Sequence, residues 1–327
     1  MEPWRSILKL IERDGAAGLV TVAKVDGSTP REAGARMVVA RDGSISGSIG
    51  GGPLEWAAID VAKNMIAAGP GAEWKTVSLG PALDQCCGGR AELLHESFTA
   101  ADREWIAPLA SHDESELIVR AERSGSGPYR RRAVQTARPG EAITRDRSDA
   151  LTERFGEART PVLLFGGGHV GRALVAALAP LPFTVRWIDD RPDAFDGART
   201  LGAHTVVSAL PESELRDAPT GSFVIMMTHS HALDLALVAA ALPDTRFPYV
   251  GLIGSATKRA LFERRLAEFG VSADVITRLV CPIGVAGISG KSPPVIAAAV
   301  AAELLVERER ALANPKFKTE LAIGSRE

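Results

Sequence analysis

Cys86 and Cys87 stand side by side in "PALDQCCGGRAEL", followed at once by Gly88 and Gly89. The chain has three cysteines, so most of its thiol chemistry is concentrated on one glycine turn. A thiolate on an exposed turn can act as a nucleophile or hold a soft metal. A buried cysteine packs as a small, inert hydrophobe. The residues alone leave both readings open. Zinc is not expected, because it needs about four ligands, and His95 and Cys281 provide no second cysteine pair. Neither is a disulfide expected, since adjacent cysteines close a strained ring.

Two glycine loops could bind anions. "GSIGGGPLE" places Gly50, Gly51 and Gly52 ahead of a helix, with Ser48 and Glu55 at hand. Its amides could form an anion nest, or Glu55 could simply complement the helix dipole. Nearby, "GSTPRE" offers Ser28 and Arg31 on a proline turn, where the arginine is a fork of donors suited to phosphate. Taken alone, that segment reads first as a surface turn with a solvated arginine. The second loop, "GGGHVG", holds Gly166, Gly168, His169 and Gly171 in dinucleotide-fold spacing, and Asp189 follows where a ribose-binding acid belongs. An acid there favours an NAD-like ligand over an NADP-like one. Further on, His229, His231 and Asp234 in "THSHALD", and Ser255 and Lys258 in "GLIGSATKR", follow strand ends. They are candidates for proton transfer or metal binding, or for plain helix capping. Cys281 is expected to be buried.

The elements that position these residues can be read from periodicity. Trp4, Ile7, Leu8 and Ile11 recur at helical spacing. Strands are expected at 18–25, 35–40, 73–79 and 90–96, with a helix opening at Pro53 and ending near Gly69. The stretch 124–160 is polar, basic and poor in large apolar residues. It reads mainly as a connection, with "YRRRAV" as a solvated strand edge. After Pro161 the pattern is strand, helix, strand. Further strands are expected at 204–207, 222–227 and 249–254, and helices at 231–242, 257–269 and 294–310. The fold class is therefore α/β: a C-terminal doubly wound (Rossmann) parallel-sheet domain over 161–327, and an N-terminal mixed α+β domain over 1–123.

A formal net charge of −2 and the lack of a basic stripe argue against nucleic acid as a partner. The N-terminal residues do not read as a signal peptide. The longest apolar run, near 295–305, is too short to cross a bilayer. A cytoplasmic protein is the expectation.

Together, "GSTPREAGARMVV", "GSIGGGPLE", "QCCGG", "LLFGGGHVGRAL", "IDDRPDAF", "GLIGSATKR" and "CPIG" resemble the XdhC/CoxI family. These are accessory proteins of xanthine dehydrogenase and related molybdenum hydroxylases. The likeness runs through both halves and leaves out the connection. Lys291 and Ser292 stand where a Lys/Arg-Thr pair before proline is expected, a mild departure.

The resemblance implies a chaperone, not an enzyme. It would bind the molybdenum cofactor, Mo-molybdopterin, while a cysteine desulfurase exchanges an oxo ligand for sulfide. It would then insert the cofactor into the molybdenum subunit of xanthine dehydrogenase. A homodimer is implied as well. On this reading the glycine loops and Arg31 suit the phosphate of molybdopterin, and Cys86 or Cys87 becomes a soft ligand to Mo or a persulfide carrier. Two rivals stand beside it. One is a two-domain NAD-dependent oxidoreductase using His229 or Lys258 as its acid-base group. The other is a nucleotide-sensing regulatory module.

Overall fold

The computed structural model describes residues 2–79, 88–112, 116–135 and 142–313. The chain divides into two compact units, Met1–Glu157 and Ala158–Glu327.

In the first unit, helix α1 (Glu2–Asp14) leads into the long strand β1 (Ala16–Asp26). The strands β2 (Arg36–Val39) and β3 (Ile45–Gly47) follow as a hairpin around Asp42-Gly43. Helix α2 (Gly52–Ala68) then precedes β4 (Gly71–Ser78) and β5 (Arg90–Thr99). These strands form an antiparallel sheet in the order β3-β2-β1-β5-β4. Alternation sorts the side chains of β1. Val20 and Val22 face α2 with Leu54, Ala58 and Ala62, while Ala17 and Leu19 face the opposite side. There they meet α1, helix α3 (Arg103–Ala110) and a second sheet.

That second sheet lies largely in the stretch read as a connection. Strand β6 (Glu116–Glu122) is joined by β7 (Arg130–Ala133), β8 (Ile143–Arg145) and β9 (Leu151–Gly156), in the order β7-β6-β9-β8. The apolar pattern is weak there because charged side chains take inward positions. Arg131 and Glu153 are buried, and an apolar alternation cannot show where an ion pair fills the core. "YRRRAV" is an edge strand as expected, but of its three arginines only Arg130 and Arg132 are exposed. Arg131 points inward to Glu96 and Glu153 at 2.7 and 2.5 Å.

The second unit alternates strands and helices: β10 (Thr160–Phe165), α4 (His169–Leu178), β11 (Phe183–Asp189), β12 (His204–Val207), β13 (Phe223–Met226), α5 (His231–Ala241), β14 (Tyr249–Leu252), α6 (Ala256–Glu268), α7 (Ala273–Ile276), β15 (Leu279–Val280) and α8 (Pro293–Ala313). Every pairing is parallel, in the order β12-β11-β10-β13-β14-β15. The central strands β13 and β14 are buried along their whole length, as a covered parallel sheet requires, while the edge strand β12 is largely exposed. Val162 and Leu164 pack with α4 and α8, and Leu163 and Phe165 with α5 and α6. The strand order reverses direction between β10 and β13, so the crevice above their carboxyl ends is the ligand position of such sheets.

Candidate functional site

Three motifs that are far apart in sequence meet at the end of β1 in the first unit. Gly27, at φ 71°, turns the chain out of the strand. Thr29 Oγ1 then donates to the Arg31 carbonyl at 3.0 Å and closes the turn. Gly50 lies so close to Pro30 that a Cβ on it would collide with the proline ring. Arg31 Nη1 also reaches the Ser48 carbonyl at 3.4 Å. On the other flank, a Cβ on Gly89 would run into the carbonyls of Ser28 and Asp26. The Leu79 amide donates to the Gly89 carbonyl at 2.8 Å, which ties the end of β4 to the start of β5. Ser28, Arg31, Ser48, Gly50, Gly51, Gly52, Glu55, Gly88 and Gly89 thus belong to one region. Cys86 and Cys87 lie outside the described residues. Gly88, one peptide bond after Cys87, is exposed.

The amide nest in this region is already filled. Glu55 Oε1 accepts from the amides of Ile49, Gly50 and Gly51 at 2.9, 3.1 and 2.9 Å, and from Ser48 Oγ at 2.5 Å. Burial alone would raise the carboxyl's pKa. The four donors outweigh it and hold the pKa below the usual carboxylate range. Sequence reading offered these amides to an external anion, but the carboxylate on the first turn of α2 takes them instead.

Beside the region, a cleft of about 370 Å³ opens between the β2–β3 hairpin and the end of β9, with Arg31, Arg36 and Phe155 in its lining. Arg36 was missed in the sequence. Its only signal there is an arginine opening the apolar run "RMVV". Its guanidinium sits 3.8 Å from the centroid of the Phe155 ring. Burial, more than the opposing pull of Glu153, brings its pKa down to about 10.

In the second unit, Gly166 and Gly168 lie in the β10–α4 turn, and His169 and Gly171 in the first turn of α4. A Cβ on Gly171 would collide with the Gly166 carbonyl, so the tight turn needs glycine there. Trp187 Nε1 donates to that same carbonyl at 2.9 Å. Asp189 stands at the end of β11, but its carboxylate is occupied. Oδ2 accepts the Gly167 amide at 2.6 Å and Arg191 Nη2 at 2.9 Å. Oδ1 accepts the Arg191 amide and Nε at 3.0 and 2.9 Å. Burial works to raise its pKa, yet these donors prevail and hold it down to about 2. Arg191, overlooked in "DDRP", therefore satisfies the acid that was expected to grip a ribose.

The remaining candidates divide. Ser230 and Ser255 are caps, accepting the amides of Leu233 and Lys258 at 3.3 and 3.2 Å. Lys258 Nζ donates to Asp234 Oδ2 at 2.7 Å and to the Ile253 carbonyl at 3.0 Å, while Asp234 Oδ1 accepts from Thr228. This buried pair ties β13, α5 and α6 together. His229 Nδ1 lies 3.8 Å from Asp190 Oδ1, and the two groups come from strands on either side of β10. His231 is exposed at the first position of α5. Cys281 is buried, and burial pushes its thiol pKa up. No cluster of three metal-ligating side chains occurs among the described residues, and no described helix is long and apolar enough to cross a membrane.

Comparison with known proteins divides the chain in a similar way. The family model of the XdhC Rossmann domain matches residues 162–304. The model of the XdhC and CoxI family matches residues 10–79. Among curated Escherichia coli proteins, the molybdenum cofactor insertion chaperone PaoD is 26% identical over 82% of this chain and 76% of its own length. The uncharacterized protein YqeB is also 26% identical, over 93% of this chain, but the chain spans only 46% of that relative's length. A solved structure described as a xanthine dehydrogenase from Bacillus halodurans superposes with a TM-score of 0.73 over 96% of this chain and 98% of its own. At 21% identity it speaks for the fold.

Proposed function

Because the chain belongs to the XdhC and CoxI family, we propose that it carries the molybdenum cofactor as cargo and inserts it into a molybdoenzyme. The observation that carries the reading is the convergence of Gly50 on Pro30 and of Gly89 on Ser28. It brings the segment that follows Cys86 and Cys87 to the same turn as Arg31. Soft thiolates and a guanidinium fork match the two ends of the cargo, which has a thiophilic metal at one end and a phosphate at the other. The likeness to PaoD, named as an insertion chaperone, supports the same reading.

The finer parts of the proposal are that xanthine dehydrogenase is the recipient, that a cysteine desulfurase sulfurates the metal while this chain holds it, and that the chain works as a homodimer in the cytoplasm. The chaperone holds and hands over its cargo and turns over no substrate. For the second unit, the strand order and glycine turn support a phosphate-bearing ligand above β10 and β13. The engagement of Asp189 by Arg191 weighs against an NAD ribose, and with it against the oxidoreductase reading.

The test is cofactor content. The protein is purified from cells that make molybdopterin, then assayed for the oxidised fluorescent pterin and for molybdenum. Near-stoichiometric amounts of both, lost in Cys86→Ala/Cys87→Ala, are expected. Absence of pterin even after cofactor is supplied in vitro would sink the proposal.

A further inference from the structure

We propose that the cleft between the β2–β3 hairpin and the end of β9 binds the phosphate group of a small ligand, with Arg31 and Arg36 supplying the countercharge. Its volume of about 370 Å³ accommodates a phosphate together with part of a heterocycle.

Arg36 is the main reason. Its side chain is 8% exposed, so its cation is largely removed from water. Nη1 donates to the carbonyls of Gly34 and Arg154 at 3.0 and 3.1 Å, and Nε has no partner among the described residues. The carboxylate beside it is Glu153, with Oε1 3.5 Å from Nη2, and Arg131 holds the other oxygen of Glu153 at 2.5 Å. Arg131 takes the closer contacts to Glu96 and Glu153 and leaves Arg36 the longest ion pair of the four-group network, so an anion in the cleft would compensate a desolvated cation that the network holds only loosely.

Arg31 adds a second cation at the rim. It is 41% exposed and pairs with Glu32, itself 72% exposed, at 3.1 Å. A surface pair of this kind exchanges readily for a better anion. Two guanidinium groups match the double charge of a phosphate monoester better than the single charge of a carboxylate. The neighbouring amide nest is closed by Glu55, so the phosphate is left to the arginines. Gly47 keeps the lip of the cleft narrow, since a Cβ there would press on the Arg36 carbonyl. The inference deepens the carrier reading and rests on it only for the identity of the ligand that bears the phosphate.

The experiment titrates the full chain with inorganic pyrophosphate by calorimetry, against chloride at matched ionic strength. Saturable binding is expected, weakened at least tenfold in Arg31→Glu and Arg36→Met and tightened severalfold in Glu32→Gln. Arg36 belongs to a buried network and its variant could fail to fold, so Ser46→Trp, at an exposed cleft position, provides an independent block. Unchanged affinity in both Arg31→Glu and Ser46→Trp, or no saturable binding by the unmodified chain, overturns the proposal. Pterin content of the same variants separates the two readings. Full pterin in Arg31→Glu and Ser46→Trp together with unchanged pyrophosphate affinity overturns the cleft and leaves the carrier standing. Arginine-dependent pyrophosphate binding by a protein that never acquires pterin supports the cleft and removes the carrier. Displacement of pyrophosphate by a phosphorylated pterin alone identifies a pterin as the ligand, and displacement by a nucleoside monophosphate identifies a nucleotide; either supports the site.

Discussion

Glu55, on the first turn of α2, accepts the Gly51 amide at 2.9 Å, so the "SIGGGP" segment is folded around the carboxylate that follows it in the chain. Three glycines in a row are costly to order. Here the cost is offset by three amide donors and one hydroxyl converging on a single oxygen.

Glu55→Ala should therefore destabilise the protein by about 2–3 kcal/mol, the scale of leaving such donors without an acceptor. Denaturant unfolding measures it. The folded-state pKa of Glu55 lies below its ordinary value of 4.5, so its contribution is complete above that pH and is lost as pH falls through the lower folded value. An alanine variant as stable as the parent at pH 7 would show that the carboxylate does not organise the loop.

The glycines of the same loop should differ in their tolerance. Gly51 has φ 77° and ψ 178°, a backbone region kept almost to glycine, and open space around its missing Cβ, so Gly51→Ala carries only the backbone cost of about 1–3 kcal/mol. Gly50, at φ 127°, adds a collision with Pro30, so Gly50→Ala should cost more and should also lower cofactor content. Equal stability losses in the two variants would argue against close packing of Gly50 on Pro30.

Asp189 is expected to act within the fold before any nucleotide is present. Asp189→Asn should lose about 1–3 kcal/mol with no ligand added, because the Gly167 and Arg191 donors lose a charged acceptor. Its folded pKa of about 2 lies below the ordinary 3.8, so its contribution is intact above 3.8 and fades as pH falls towards 2. The check is thermal unfolding of both proteins across that range, with and without NAD. A variant that differs from the parent only when NAD is present would restore the ribose role.

His95 should make the first unit sensitive to mild acid. It is buried on β5, and neither ring nitrogen has a partner among the described residues. Burial lowers its pKa from 6.5 to about 4, so the folded state stays neutral where the unfolded chain is protonated. Stability is then lost as pH falls from about 6.5 towards 4, by a sum on the order of 3 kcal/mol. His95→Leu should flatten that part of the pH profile. An unchanged slope in the variant would assign the acid sensitivity elsewhere.

Much of the second unit was legible in the sequence because its physics is local. The strands at 204–207, 222–227 and 249–254 and the helices at 231–242, 257–269 and 294–310 fall within a few residues of β12, β13, β14, α5, α6 and α8. Parallel strands covered on both faces read as continuous apolar runs, and glycine spacing marks the turn between them. The motifs that carry the family likeness are equally local. Of the four-stranded sheet of the first unit only the edge strand in "YRRRAV" was legible. The sheet's inward positions at Arg131 and Glu153 are charged, and they become core only because Glu96, on a strand of the other sheet, lies opposite.

The site shows the same division. Residue types and spacing alone singled out Ser28, Arg31, Gly50, Glu55, Gly89 and Asp189. Only the tertiary structure decided what their polar groups face. Glu55 turns back into its own amides and Asp189 is taken up by Arg191, while Arg36 is carried by β2 to the cleft beside Arg31. Covalent order places a donor on an element, but the register of β2 on β1 and the closure of each turn determine which acceptor it meets.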